Sequence, residues 1–163
     1  MNIFRRICEI FVKRSDKMNV FGQAVNFIFD REGRTFENVA EDPGGGTKYG
    51  ISHKSYPALN IKDLTEDEAA TIYLRDYWNP LECDKYAPKV ALALFDTAVN
   101  QGDGLAQQIL GELAADGYAL TVEAYLFKRL RHYVNLIEQK PELGKFCIDW
   151  LLRVVKVYEF KFT

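Results

Sequence analysis

Three side chains near the front of the chain are of types, and close enough in sequence, to act together: a candidate general acid, Glu32, with a carboxylate, Asp42, and a hydroxyl, Thr47. Glu32 closes a strongly apolar segment and precedes Gly33, which predicts a place at the carboxyl end of a helix. A helix C-terminus carries roughly half a negative charge, and apolar neighbours such as Phe27 and Phe29 keep water away. Both effects favour the neutral acid. A carboxylic acid that stays protonated near neutral pH is what protonates a leaving-group oxygen in glycoside hydrolysis. Asp42 is joined to Thr47 by Pro43 and the glycines Gly44 to Gly46. A hairpin folding back there would set a carboxylate and a hydroxyl opposite Glu32, with a sugar chain between them. Glu41, beside Asp42, is an alternative second carboxylate. The plainer reading is that Asp42 and Pro43 begin a turn and Thr47 is a strand residue.

The elements that must position these groups are mostly helices. Phe21, Ala24, Val25, Phe27 and Ile28 repeat at helical spacing from a cap at Asn19 to about Arg31. Residues 33–52, with Gly33, Gly44 to Gly46 and Gly50, predict turns or a short hairpin. Thr65 and Glu68 form a capping box before Ala69, Ile72 and Tyr73, and Pro80 stops that helix. Pro88 opens a helix that ends at Gly102, Asp103 caps one closed by Gly117, and Thr121 opens one punctuated by Pro141. The last helix carries Lys145, Asp149, Arg153, Lys156 and Glu159 on one stripe, with Cys147, Ile148, Leu151, Leu152, Val155 and Tyr158 over the rest. Most of it is expected to be buried. On this frame Tyr77 and Trp78 are placed to stack on sugar rings, and Tyr49 lies beside the glycine turn. Asp96 and Asn100 face one way from a single helix. The alternative for Trp78 and Trp150 is core packing, and for Asn100 it is capping a neighbouring turn.

The 163 residues, 48% hydrophobic and 27% charged, exclude disorder and suffice for one core without metal or disulfide. Twenty-one Lys and Arg against 23 Asp and Glu give no basic excess for nucleic acid. Cys8, Cys83 and Cys147 form no CxxC and read as reduced thiols; no metal site is signalled, and His53 and His132 share no motif. Residues 1–17 form a basic amphipathic stripe of Ile3, Phe4, Ile7 and Phe11, which Arg5, Arg6 and Glu9 break too often for a secretory signal or a membrane span. It reads as an accessory leader or as an interfacial helix with weak membrane or partner contact.

Glu32-Gly33 followed by DPGGGTKYGIS at 42–52 resembles the EGG and DPGGxTxxGIT signature of the glycoside hydrolase 108 muramidases. IYLRDYWNP at 72–80 is similar to that family's aromatic YW helix, LALFDTAVNQG at 92–102 to its FDxAVNxG helix, and DWLLRV at 149–154 to its WLNRV ending. Arg34 stands where the second glycine is usual, and the next aromatic is displaced to Phe36, so the loop is about one residue longer. An Arg34 facing Glu32 would favour the ionised acid, unless its side chain points outward.

The resemblance implies a mainly α, lysozyme-like α+β fold with a small β-hairpin near the active-site loop. Residues 18–163 then form one domain, with 18–86 as the catalytic half and 87–163 as a helical peptidoglycan-binding half. It further implies hydrolysis of the β-1,4 bond between N-acetylmuramic acid and N-acetylglucosamine, with Glu32 as the acid, Asp42 and Thr47 holding the attacking water, and no cofactor. The expected partner is the peptidoglycan glycan strand, met by a monomer that reaches the wall through a holin-type or other secretion route. A lysozyme-like protein that binds peptidoglycan without cleaving it is the alternative, and a helical protein-interaction module the more distant one.

Overall fold

In the computed structural model, which describes residues 20–37 and 46–163, the first helix, α1, runs over 20–32. The leader 1–17, the Asn19 cap, Cys8, Glu41 and Asp42 lie outside the described residues. The chain divides into two units, Met1–Asp76 and Tyr77–Thr163, a break upstream of the one expected after residue 86.

In the first unit α1 buries Ala24, Val25, Phe27 and Ile28 of the stripe read from the sequence, with Phe29 beside them, while Phe21 is only partly buried. A two-stranded antiparallel hairpin follows, β1 (Thr47–Lys48) and β2 (Ile51–Ser52), with Thr47 opposite Ser52 and Lys48 opposite Ile51. Its two-residue turn holds Tyr49 and Gly50 at φ 55° and 74°, the left-handed pair that such a tight turn requires. A 3-10 turn, Ile61–Asp63, leads to α2 (Glu66–Tyr73). The capping box is present in full: the Thr65 hydroxyl accepts from the Glu68 amide, and the Glu68 carboxylate accepts from the Thr65 amide at 2.8 Å. Regular helix ends at Tyr73, before Pro80, and a π-helical turn carries the chain over Leu74–Trp78.

The second unit is helical. In α3 (Pro88–Gln101) every residue from Val90 to Ala98 is buried, as suits the central helix of a bundle, and α4 (Asp103–Ala115), α5 (Val122–Gln139) and α6 (Cys147–Glu159) each pack on it. Pro88 occupies the first turn of α3. Gly102, not Asp103, is the N-cap of α4. Gly117, at φ 70°, closes that helix: its amide donates to the Ala114 carbonyl and the Tyr118 amide to the Leu113 carbonyl. Thr121 caps α5 through its side chain, as expected.

The expectation that α6 is mostly buried is overturned. Val154 and Val157 point inward, but Ile148, Leu151, Leu152, Val155 and Tyr158 are 42–65% exposed. Arg153, assigned to a polar outer stripe, is instead only 12% exposed at its side chain. Among the described residues no helix is long and apolar enough to cross a membrane.

Candidate active site

Glu32 is the last residue of α1, and Gly33, at φ 91°, ends the helix directly behind it. Its half-buried side chain lies on the hairpin turn. A Cβ on Gly50 would sit 2.8 Å from the Glu32 Cβ, 2.9 Å from its Cγ and 2.8 Å from the Tyr73 hydroxyl. Gly50 therefore permits an approach that no other residue allows, and it brings the stem of the acid and the phenol of α2 to one point. The Tyr73 hydroxyl donates to the Tyr49 carbonyl at 2.8 Å, which ties α2 to the turn. Phe29 packs on the Tyr49 ring at 4.8 Å and on the Tyr73 ring at 5.9 Å. Phe29, Tyr49 and Tyr73 are 1%, 8% and 2% exposed, so the acid emerges from an apolar bed.

Thr47 lies on β1 of the same unit. Its amide and carbonyl exchange hydrogen bonds of 2.8 Å with Glu37, which extends the hairpin by one bridge on its outer edge. Directly paired residues put their side chains on one face of a sheet, so Glu37, Thr47 and Ser52 share a face, while the buried Ile51 and Lys48 share the other. Glu37 is thus a carboxylate beside Thr47 that sequence reasoning missed, because no local spacing signals a bridge between residues ten apart in the chain. Tyr73 was missed for another reason: its helical spacing reads as core stripe, which hides a hydroxyl at the acid. Arg34 points away from that role. Its guanidinium donates to Asp30 (3.0 Å), Glu66 (2.8 Å) and Asn26 (3.0 Å), so the helix end is clamped to α2.

The family model described as Glycosyl hydrolase 108 matches residues 25–102, a span that contains Glu32, the hairpin, α2 and α3. That segment, just under half of the chain, is similar to glycosyl hydrolase family 108. The similarity supports a glycoside hydrolase. Among solved structures, SagA of Brucella abortus is similar in fold, with a TM-score of 0.65 and 24% identity over 84% of this chain and 90% of SagA. No curated protein matches the chain.

Within this segment, three expected sugar contacts prove to be structural. Asp96 is fully buried in the second unit. Arg129 donates to its Oδ2 at 2.7 Å, and the Arg153 guanidinium lies 2.9 Å from its Oδ1, so both oxygens are taken. Trp78, 1% exposed, packs edge-on against Phe95 at 5.4 Å and donates its indole N–H to Asp84 at 3.0 Å, which is the core alternative. The Tyr49 ring is held under Phe29 by the left-handed turn and offers little face to a ligand. Asn100 neither caps a turn nor stands open: its Oδ1 accepts from Gln101 at 3.0 Å, and from Arg129 and Tyr133 at 3.4 Å. Tyr77 is partly exposed in the second unit.

The FDxAVNxG and WLNRV-like motifs thus meet. Asp96, Asn100 and Arg153 join Arg129 in one polar cluster, on which Tyr133 and Trp150 stack at 4.8 Å. Cys83 is buried, and burial pushes its thiol up to about 12. Cys147 is free and half-buried. Among the described residues no three His, Cys, Asp or Glu are grouped to hold a metal ion.

Proposed function

We propose that the protein is a peptidoglycan hydrolase of the N-acetylmuramidase type, cleaving the β-1,4 bond between N-acetylmuramic acid and N-acetylglucosamine. The observation that carries this reading is the place of Glu32: a helix-terminal acid, in a segment similar to a family of glycoside hydrolases, seated on a hairpin turn that only glycine permits, with Thr47 on the adjoining strand. Glu32 protonates the glycosidic oxygen as the bond to the anomeric carbon breaks. A water oriented by the Thr47 hydroxyl and the Asp42 carboxylate adds to the oxocarbenium-like sugar and gives up its proton to Asp42. A threonine and a carboxylate clamp water better than they attack carbon, which supports inversion at the anomeric centre. The helical second unit is assigned to holding the glycan strand, and the enzyme reaches the wall by release through a holin-type or other secretion route.

The test is digestion of purified murein by wild type and Glu32→Gln, read by mass analysis of the products. A muramidase leaves N-acetylmuramic acid at the reducing end. Glu32→Gln is expected to remain folded and to lose about 10²- to 10⁴-fold in turnover, the usual worth of a general acid. Full activity in Glu32→Gln would remove Glu32 as the acid, and a reducing-end N-acetylglucosamine or an anhydro sugar would replace the muramidase assignment.

A further inference from the structure

The largest cavity among those found in the first unit has no part in the mechanism above. It encloses about 640 Å³ between residues 55–64 and one face of α2, with Tyr56, Leu59, Leu64 and Ile72 as its apolar floor. A second cavity of about 400 Å³ is lined by Phe36, Gly46, His53 and Lys62. The two share Ala58, Leu59 and Asn60 in their walls. The smaller one touches Gly46 and Phe36, next to Thr47 and Glu37 of the candidate site, and the larger groove ends at Arg75.

The charged groups lining the larger cavity are Arg75, Asp63 and Glu68. Each has part of its hydrogen-bonding capacity committed. Arg75 uses Nε and Nη2 on Asp76, which also accepts from the Tyr56 hydroxyl at 2.7 Å. Asp63 uses Oδ2 to accept from Asn60, and Glu68 uses Oε2 in the capping box. Arg75, which also interacts with Tyr56, leaves Nη1 out of its bonds to Asp76, and Asp63 Oδ1 and Glu68 Oε1 take no part in the bonds to Asn60 and Thr65.

An apolar floor with a guanidinium and two carboxylates around it suits an extended molecule bearing both carboxylate and ammonium groups. A chain of N-acetylated sugars has no ammonium group; a short peptide has one. We propose that this groove holds the peptide stem of the substrate, with a stem carboxylate on Arg75 and a free amine between Asp63 and Glu68. The proposal rests on the reading of the chain as a peptidoglycan hydrolase and assigns the part of the substrate beside the scissile glycan.

The experiment compares KM on peptide-bearing glycan strands with KM on strands stripped of peptide by an amidase, for wild type, Arg75→Ala and Thr71→Gln. Thr71 lines the same cavity from an exposed helix position, so its longer replacement narrows the groove without removing a core contact. Wild type is expected to favour the peptide-bearing strand by about tenfold in KM, roughly one charge-assisted hydrogen bond. Both variants are expected to bring that ratio toward one while kcat on the peptide-bearing strand changes less than twofold. A wild-type ratio of one, or variants that keep the full preference, overturns the stem assignment. If wild type cleaves neither strand, the hydrolase reading fails instead. In that case, titration with a synthetic stem tripeptide, followed by amide shifts at residues 55–64, decides the groove on its own.

Discussion

At the scale of single residues, the site turns on what can stand next to Glu32. Its position at a helix end is legible in the sequence, because an apolar run followed by Glu-Gly has few other readings. That its stem touches Gly50 is not legible, since the contact depends on two consecutive left-handed residues, one of them a tyrosine. Gly50→Ala would put a methyl group 2.8 Å from Glu32 Cβ and the Tyr73 hydroxyl, at φ 74°. We expect it to destabilise the fold by about 1–3 kcal/mol. We also expect turnover to fall by at least tenfold, because the acid must move, and a misplacement of 1 Å is enough for that. Urea unfolding and murein turnover measure the two effects separately. Gly111→Ala is the contrast: it sits inside α4 with ordinary φ and nothing within 4 Å of the added Cβ, so a gain of about 0.5–1 kcal/mol is expected with turnover unchanged.

At the scale of elements, caps were the most readable feature, because each is a local bargain between a side chain and the next turn. The Thr65–Glu68 box, the Pro88 start, the Gly117 close and the Thr121 cap all stand where spacing predicts them. The polar residues of α3 were misread because helical spacing gives a direction without a partner, and the partners of Asp96 come from α5 and α6, Arg129 and Arg153. Asp96→Ala would leave Arg129, fully buried, without its counter-charge, and a loss of about 3–5 kcal/mol is expected in urea unfolding. Acid should act elsewhere. The Thr65 amide and then its hydroxyl hold the Glu68 carboxyl below its ordinary 4.5, and Arg75 holds Asp76 below 3.8 against the opposing effect of burial, with a lesser contribution from Tyr56. Depressed carboxyl groups stabilise the fold fully above their unfolded values, and the contribution is lost as pH falls through the folded ones. The urea midpoint should therefore drop from about pH 5 to about pH 3, and Thr65→Ala should show a smaller drop because its cap is already gone.

At the scale of the whole molecule, a mainly helical chain with one small hairpin was foreseeable from the succession of helical periods and the single glycine-rich interval. Which side of a helix meets the core was less so, and α6 shows why. Its sequence has apolar residues on two faces, and amphipathicity alone cannot choose between them. The choice falls to Arg153, whose pairing with the buried Asp96 rotates Val154 and Val157 inward and leaves Ile148, Leu151, Leu152 and Val155 in solvent. The consequence is an asymmetry in what each face tolerates. Leu152, 53% exposed, already gains little from burial, so Leu152→Glu is expected to change stability by less than about 0.5 kcal/mol and to raise solubility by interrupting the apolar stripe. Val157, with no exposed surface, is expected to cost about 1–3 kcal/mol as Val157→Ala. Equal losses at the two positions in urea unfolding would mean that the face bearing Leu152 is covered in solution, and that Arg153 does not set the rotation of the helix.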